Sequence, residues 1–192
     1  MKECGSLPLL VAESVAAVHS LKPGGSFILK VFSLLESQSM CLAYMLRQSF
    51  VHFSIFKPTS SKAGNNELYL LCRDFIPDSQ FSIAIKQLAL LSDYPAQLHH
   101  SLQHSALLPL PEIPLTFVVD FESAVTLFSH WQTEAIETNV MLHRDGVMNS
   151  NCRKELTAIK KHRARVFLKK FPLRPIQPHQ RLVKLIRHLD SC

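Results

Sequence analysis

Residues 21–32, LKPGGSFILKVF, and residues 56–72, FKPTSSKAGNNELYLLC, decide how this chain is read. In the first stretch Lys22-Pro23-Gly24-Gly25 stops a preceding helix and turns the chain, because proline cannot donate to a helix and glycine takes conformations other residues avoid. Ser26 to Phe32 is short, aromatic and aliphatic, which predicts a largely buried strand. In the second stretch Lys57-Pro58 ends the apolar run Val51 to Phe56, and the polar loop PTSSKAGNN leads into a third strand, Glu67 to Arg73. Working outward, residues 7–21 predict a helix with Pro8 in its first turn, and residues 33–49 a second helix from the spacing of Leu34, Leu35, Met40, Leu42, Met45 and Leu46. Helix, strand, helix, strand, loop and strand is the grammar of an α/β sheet whose closing hairpin sets the last strand antiparallel. Such a sheet ordinarily holds further strands, whereas this chain opens in a helix.

After Pro77 the alternation stops. Helices are expected over residues 79–107, 120–143, 151–171 and 178–190, with prolines 109, 111 and 114 breaking the chain between the first two. The expected organisation is a sheet fragment over residues 1–77 and a helical, basic extension over 78–192. Charge follows a similar division: residues 1–143 hold 8 Lys/Arg against 12 Asp/Glu, and residues 144–192 hold 13 against 3, giving −4 and +10. Such segregation points to an anionic partner, with a merely solvated helix face as the alternative.

Composition closes off several classes. At 192 residues and 47% apolar content the chain supplies one core, not two large ones. Its glycines, Gly5, Gly24, Gly25, Gly64 and Gly146, form no Gly-x-Gly loop, so it carries no glycine-rich nucleotide cradle. Its 5 cysteines are widely spaced, with no Cys-x-x-Cys pair, which argues against a disulfide framework or a zinc ribbon and for a reducing compartment. The apolar run Leu7 to Ala12 is cut by Glu13, too short for a signal sequence, and no later run reaches the ~18 residues of a membrane span. The chain therefore reads as soluble and intracellular.

Lys30 is the informative residue. A lysine inside SFILKVF is costly in a buried strand unless its ammonium emerges at the strand end or meets a partner. If the third strand runs antiparallel beside the first, the exit of one and the entrance of the other share a sheet edge, and Lys30 and Glu67 sit there. The carboxyl edge of a parallel sheet is also where ligands bind in such folds. On these grounds alone a structural ion pair and a catalytic one stand level.

The two quoted stretches resemble the C-terminal half of the FtsJ-type ribose 2′-O-methyltransferases. The SKAGNNELY form is most similar to their cap-specific mRNA nucleoside 2′-O-methyltransferase 2, or Adrift-type, branch. The resemblance is close over residues 8–75 and looser from Phe121 to Ile176, where it rests on FSHWQTEAIETNVML and KKHRARVFLKKF. It implies a partial Rossmann-like sheet, S-adenosyl-L-methionine as cofactor, capped mRNA as partner, and a Lys, Asp, Lys, Glu set around the target ribose. Lys30 falls on the second lysine of that set and Glu67 on its glutamate. The first lysine, the aspartate and the glycine-rich cofactor loop are expected upstream of Met1, so this chain alone is expected to be inactive. A non-catalytic RNA-binding or interaction module that keeps half the fold is the alternative. The resemblance also implies a nuclear or cytoplasmic location, and leaves the oligomeric state and the methylated nucleotide open.

The chemistry needs these residue types because a ribose 2′-hydroxyl is a poor nucleophile near neutral pH. A nearby cation lowers its effective pKa and stabilises the developing alkoxide. Lys30 supplies that cation or, deprotonated, accepts the proton; Glu67 orients it.

Lys57, Ser61, Lys62 and Asn65 in the polar loop suit a phosphate–sugar backbone, and the resemblance places the loop near RNA. Residues 153–171 carry nine basic residues, His162 among them, against Glu155. Lys160, Lys161, Arg163 and Arg165 are the expected RNA contacts there, KKHRAR also suits nuclear import, and Leu156, Ile159, Val166 and Phe167 are available for a buried stripe. The i, i+4 pair His100 and His104, with His99, lacks a third ligand of suitable spacing, so no metal is expected. Trp131 is expected in the core rather than against a base or a cap.

Overall fold

The computed structural model describes residues 2–88, 107–144, 150–174 and 176–180. The elements run α1 (Lys2–Ser20), β1 (Phe27–Phe32), α2 (Ser37–Ser49), β2 (Phe50–Phe56), β3 (Glu67–Phe75), α3 (Gln80–Gln87), α4 (Leu115–Arg144) and α5 (Ser150–Lys170). Two compact units divide the chain, residues 1–139 and 140–192. Ile85, Phe117 and Phe121 from α3 and α4 join the core that the sheet builds.

The three strands form one sheet in the order β1-β3-β2, with both pairings antiparallel. β1 and β2 therefore run parallel to each other on either side of the reversed β3, as the hairpin reading requires. Leu29 and Val31 of β1 and Leu68, Leu70 and Cys72 of β3 point to one face and are buried. Against that core lie Leu7, Leu10, Val11, Val15 and Val18 of α1, at helical spacing, and Cys41, Leu42, Met45 and Leu46 of α2. Each fully buried aliphatic side chain contributes about 1.5–3 kcal/mol.

The opposite face is more open, and this corrects the buried-strand expectation for β1. Its residues alternate, with Ile28 64% exposed and Leu29 1%, the pattern of a sheet covered on one side. Two positive φ angles shape the strands: Asp74 (φ 62) turns Phe75 into the core out of register with the alternation, and Ser33 (φ 56) ends β1. The second break delays α2 to Ser37 rather than residue 33.

The Lys22-Pro23-Gly24-Gly25 turn ends α1 as the sequence predicts. Gly24 has φ 76 and donates its N–H to Phe75 O at 3.0 Å. At Gly25 a Cβ would lie 2.9 Å from both Lys22 O and a Leu21 methyl, so only glycine fits. α1 itself starts at Lys2, five residues before the expected start, and takes Pro8 inside it. α3 covers the first turns of the helix expected over 79–107; residues 89–106 lie outside the described residues, as do 181–190 of the expected last helix. No described helix is long and apolar enough to cross a membrane.

Candidate functional site

The antiparallel register of β1 and β3 sets Lys30 opposite Tyr69 and Phe32 opposite Glu67. All four belong to the open face, so Lys30 and Glu67 are diagonal neighbours, within reach of long side chains. Lys30 Nζ lies 3.1 Å from Glu67 Oε2, with the lysine side chain 46% exposed and the glutamate 21%. The ammonium also lies 5.1 Å from the centre of the Phe32 ring. The cost of a lysine in this strand is thus met in both ways considered from sequence: it has a partner, and it reaches solvent.

The other carboxylate oxygen is also occupied. Tyr69 donates its hydroxyl proton to Glu67 Oε1 at 2.6 Å, a short, charge-assisted hydrogen bond. This bond, and then the Lys30 hydrogen bond, hold the Glu67 carboxyl below the usual carboxylate range. The same contact raises the Tyr69 phenol above its usual value. Tyr69 is the residue of this cluster that sequence reasoning missed; strand alternation, which puts positions 67 and 69 on one face, is the signal that points to it.

The loop between β2 and β3 is internally bonded. Lys57 Nζ donates to Asn65 O (2.8 Å), Asn65 Oδ1 (2.9 Å) and Glu67 O (3.1 Å). Ser61 Oγ donates to Asn65 Oδ1 at 3.1 Å, and so does the Glu67 N–H at 3.3 Å. Burial lowers the Lys57 pKa, with the Glu67 charge opposing. Of the four loop residues singled out, Lys57, Ser61 and Asn65 make these internal bonds, and Lys62 is exposed. Ser33, Leu34, Lys57, Asn65 and Asn66, with Phe128 and Gln132 of α4, line a small hollow of about 50 Å³ beside the loop.

Lys160, Lys161, Arg163 and Arg165 all lie on α5 and are exposed. The residues available for a buried stripe on that helix, Leu156, Ile159, Val166 and Phe167, are 37%, 50%, 55% and 45% exposed. Trp131 also departs from expectation. It is 47% exposed and meets Phe128 edge-on at 5.5 Å, because α4 buries only its first turns, through Phe117 and Phe121. His99, His100 and His104 lie outside the described residues, and no three metal-binding side chains converge among the described ones. Cys41 and Cys72 are free and buried, and burial pushes the Cys72 thiol up to about 12, far from a nucleophile's range.

No glycine-lined cofactor cradle occurs among the described residues. Gly25 is packed against Leu21 and Lys22, and Gly64 faces Ile136 and Asn139 of α4. What these residues can do chemically is present a half-exposed ammonium, fixed by a carboxylate that is itself fixed by a phenol.

This sheet edge, with its lysine and glutamate on adjoining strands, lies in a segment of known class. Residues 1–75 match the FtsJ-like methyltransferase family. Among individual proteins, the chain is 34% identical over 164 residues to cap-specific mRNA (nucleoside-2′-O-)-methyltransferase 2 of Danio rerio, covering 85% of this chain and 21% of that protein. The Mus musculus protein of the same name is 34% identical over 172 residues, 90% of this chain and 21% of its own length. Similarity to cap-specific mRNA (nucleoside-2′-O-)-methyltransferase 1 of Danio rerio, 33% over 92 residues, covers 45% of this chain and 11% of that one. The chain spans about a fifth of the length of the methyltransferase 2 relatives.

Proposed function

We propose that this chain supplies part of the catalytic face of a cap-specific mRNA ribose 2′-O-methyltransferase. The observation that carries the reading is the Lys30–Glu67 pair at 3.1 Å on one sheet edge, inside the segment that matches the family. FtsJ-like methyltransferases generally use S-adenosyl-L-methionine, which supplies the methyl group. The chain has no Gly-x-Gly loop, and the steps assigned to it here concern the ribose alone. Lys30 in its neutral form accepts the 2′-hydroxyl proton, and the ammonium so formed stabilises the charge on the 2′-oxygen. Glu67, held by Tyr69, keeps that ammonium aimed. Lys62 and the basic side chains of α5 face the phosphates of capped mRNA, in the nucleus or the cytoplasm.

The match to methyltransferase 2 proteins over 85–90% of this chain, against 45% for a methyltransferase 1, favours that branch. A second reading, a non-catalytic RNA-binding module, is supported by the exposed basic helix α5. A chimera separates the two. Residues 8–75 of this chain replace the matching segment of the Danio rerio methyltransferase 2, and methyl transfer to capped RNA is scored by alkali-resistant linkages. Retained transfer supports the catalytic reading. A folded chimera that binds capped RNA without methylating it favours the binding module.

A further inference from the structure

We infer that Lys57 and Asn65 form a clamp that positions Glu67, and through it Lys30, instead of contacting RNA. The inference deepens the methyl-transfer reading of the Lys30–Glu67 pair and rests on it. Glu67 is the first residue of β3, paired with Phe32, the last of β1. At a strand end the ladder stops, and the terminal residue frays unless something else holds its backbone. Here side chains do: Lys57 donates to the Glu67 carbonyl at 3.1 Å, and Asn65 Oδ1 accepts the Glu67 N–H at 3.3 Å. Ser33 N–H, bonded to Asn66 O at 2.9 Å, ties the same loop to the end of β1. Both the backbone and the carboxylate of Glu67 are therefore fixed, the first by the clamp and the second by Tyr69 and Lys30.

The clamp is committed to this task. An ammonium has three protons, and those of Lys57 are matched by three acceptors within the loop and the start of β3. Asn65 Oδ1 collects three donors, from Lys57, Ser61 and Glu67. Engaging a phosphate would break bonds that already compensate the partial burial of Lys57. An arginine, with its planar fork, would not reproduce three divergent bonds, so the position suits a lysine. The charged and titratable groups facing the Glu67 carboxylate are Lys30 from β1, Tyr69 from β3 and Lys57 from the β2 end.

The test uses the 192-residue chain with Asn65→Ala, which keeps every charge, and Lys57→Met. The readouts are amide exchange of Glu67, NMR titration of its side-chain carboxyl, and affinity for a capped RNA oligonucleotide against salt. In both variants the Glu67 amide should exchange faster by at least about fivefold, the loss of roughly one hydrogen bond. The carboxyl titration should move up toward the ordinary range, while RNA affinity and its salt slope stay as in the parent. An unmoved Glu67 titration, with RNA affinity lowered and the slope flattened in Lys57→Met alone, would make Lys57 a phosphate contact and overturn the clamp. If Asn65→Ala loses the fold, reported by the Leu70 amide, Ser61→Ala carries the test. It removes one donor to Asn65 and should shift Glu67 in the same direction by less; no shift overturns the clamp. None of these readouts needs methyl transfer, so an inactive chimera sinks the catalytic reading without touching them.

Discussion

The edge of the sheet and helix α5 both present lysines, and hold them in opposite ways. At the sheet edge the Lys30 ammonium sits in a chain of fixed contacts: Tyr69 to Glu67, Glu67 to Lys30, with Lys57 and Asn65 on the Glu67 backbone. On α5 the described side chains from Lys154 to Lys170 are exposed, apolar ones included. The first arrangement ties one positive charge to a single carboxylate. The second provides only charge density. Positioning a reacting atom needs the former, whereas counterion release on a polyanion needs only the latter.

Removing charge from each region while measuring both rate and binding puts this contrast to its severest test. In the chimera, Lys30→Ala and Glu67→Ala should each lower single-turnover methylation by about 10²–10⁴-fold, the range of a positioned proton-handling group. RNA affinity should change little. A variant that keeps its rate and loses affinity would move that residue from the reacting set to a binding role. Stability gives the next largest contrast. Leu70→Ala, at 1% exposure in the central strand, should cost about 2–5 kcal/mol of unfolding free energy. Ile159→Ala, at 50% exposure on α5, should stay within about 0.5 kcal/mol. Urea titrations followed by amide signals of each unit would check both, and a large cost at Ile159 would mean that α5 buries its apolar side chains in solution.

A more modest change is expected from α5 as a polyelectrolyte. Replacing Lys160, Lys161, Arg163 and Arg165 with Gln should lower the slope of log affinity against log salt by up to about 3, at ~0.7 for each single-strand phosphate no longer neutralised. Affinity at ~0.15 M salt should fall by up to about 10²-fold, with sequence preference barely altered. If affinity and slope both stay the same, α5 is a solvated face and the contrast with the sheet edge is one of function against none.

What is legible in the sequence divides along the same line. The strands, their order of connection and the meeting of Lys30 with Glu67 follow from Pro and Gly punctuation and from apolar runs, which are local signals backed by burial of Leu29, Leu70 and Cys72. The loop is legible in composition but not in use: its polar side chains read as ligands for phosphate, while the fold spends Lys57 and Asn65 on its own backbone. That choice depends on the β2–β3 pairing, which sets Phe56 opposite Tyr69 and brings Lys57 to the Glu67 carbonyl, and spacing does not disclose it. The ends of α1 and α2 differ from expectation because Pro8 lies within α1 instead of opening it, and because Ser33 adopts a positive φ that serine usually avoids. Trp131 and the apolar residues of α5 depart from expectation for one reason. Hydrophobic spacing shows that a helix has an apolar face, not that anything covers it.

The subtlest effect concerns Tyr69, and it separates a fixed carboxylate from a merely nearby one. The Glu67 carboxyl is held low in the folded chain, first by the Tyr69 hydroxyl and then by Lys30, so its contribution to stability is present above the ordinary carboxylate pKa. That contribution is lost as pH falls through the lowered folded value. The Tyr69 phenol is held high by the same bond, so its contribution is present below the ordinary phenol pKa and lost as pH rises through the raised value. The two shifts share their largest cause, and Tyr69→Phe removes it without removing the ring. The stability difference between parent and Tyr69→Phe should therefore be level between those limits and shrink on both sides of them. The Glu67 titration in the variant should move up toward the ordinary carboxylate range and stop short of it, since Lys30 remains. Unfolding measured from acid to alkaline pH, together with NMR titration of Glu67, checks this. A difference that stays constant across the whole range would mean that Tyr69 acts through packing, and that Lys30 alone sets the state of Glu67.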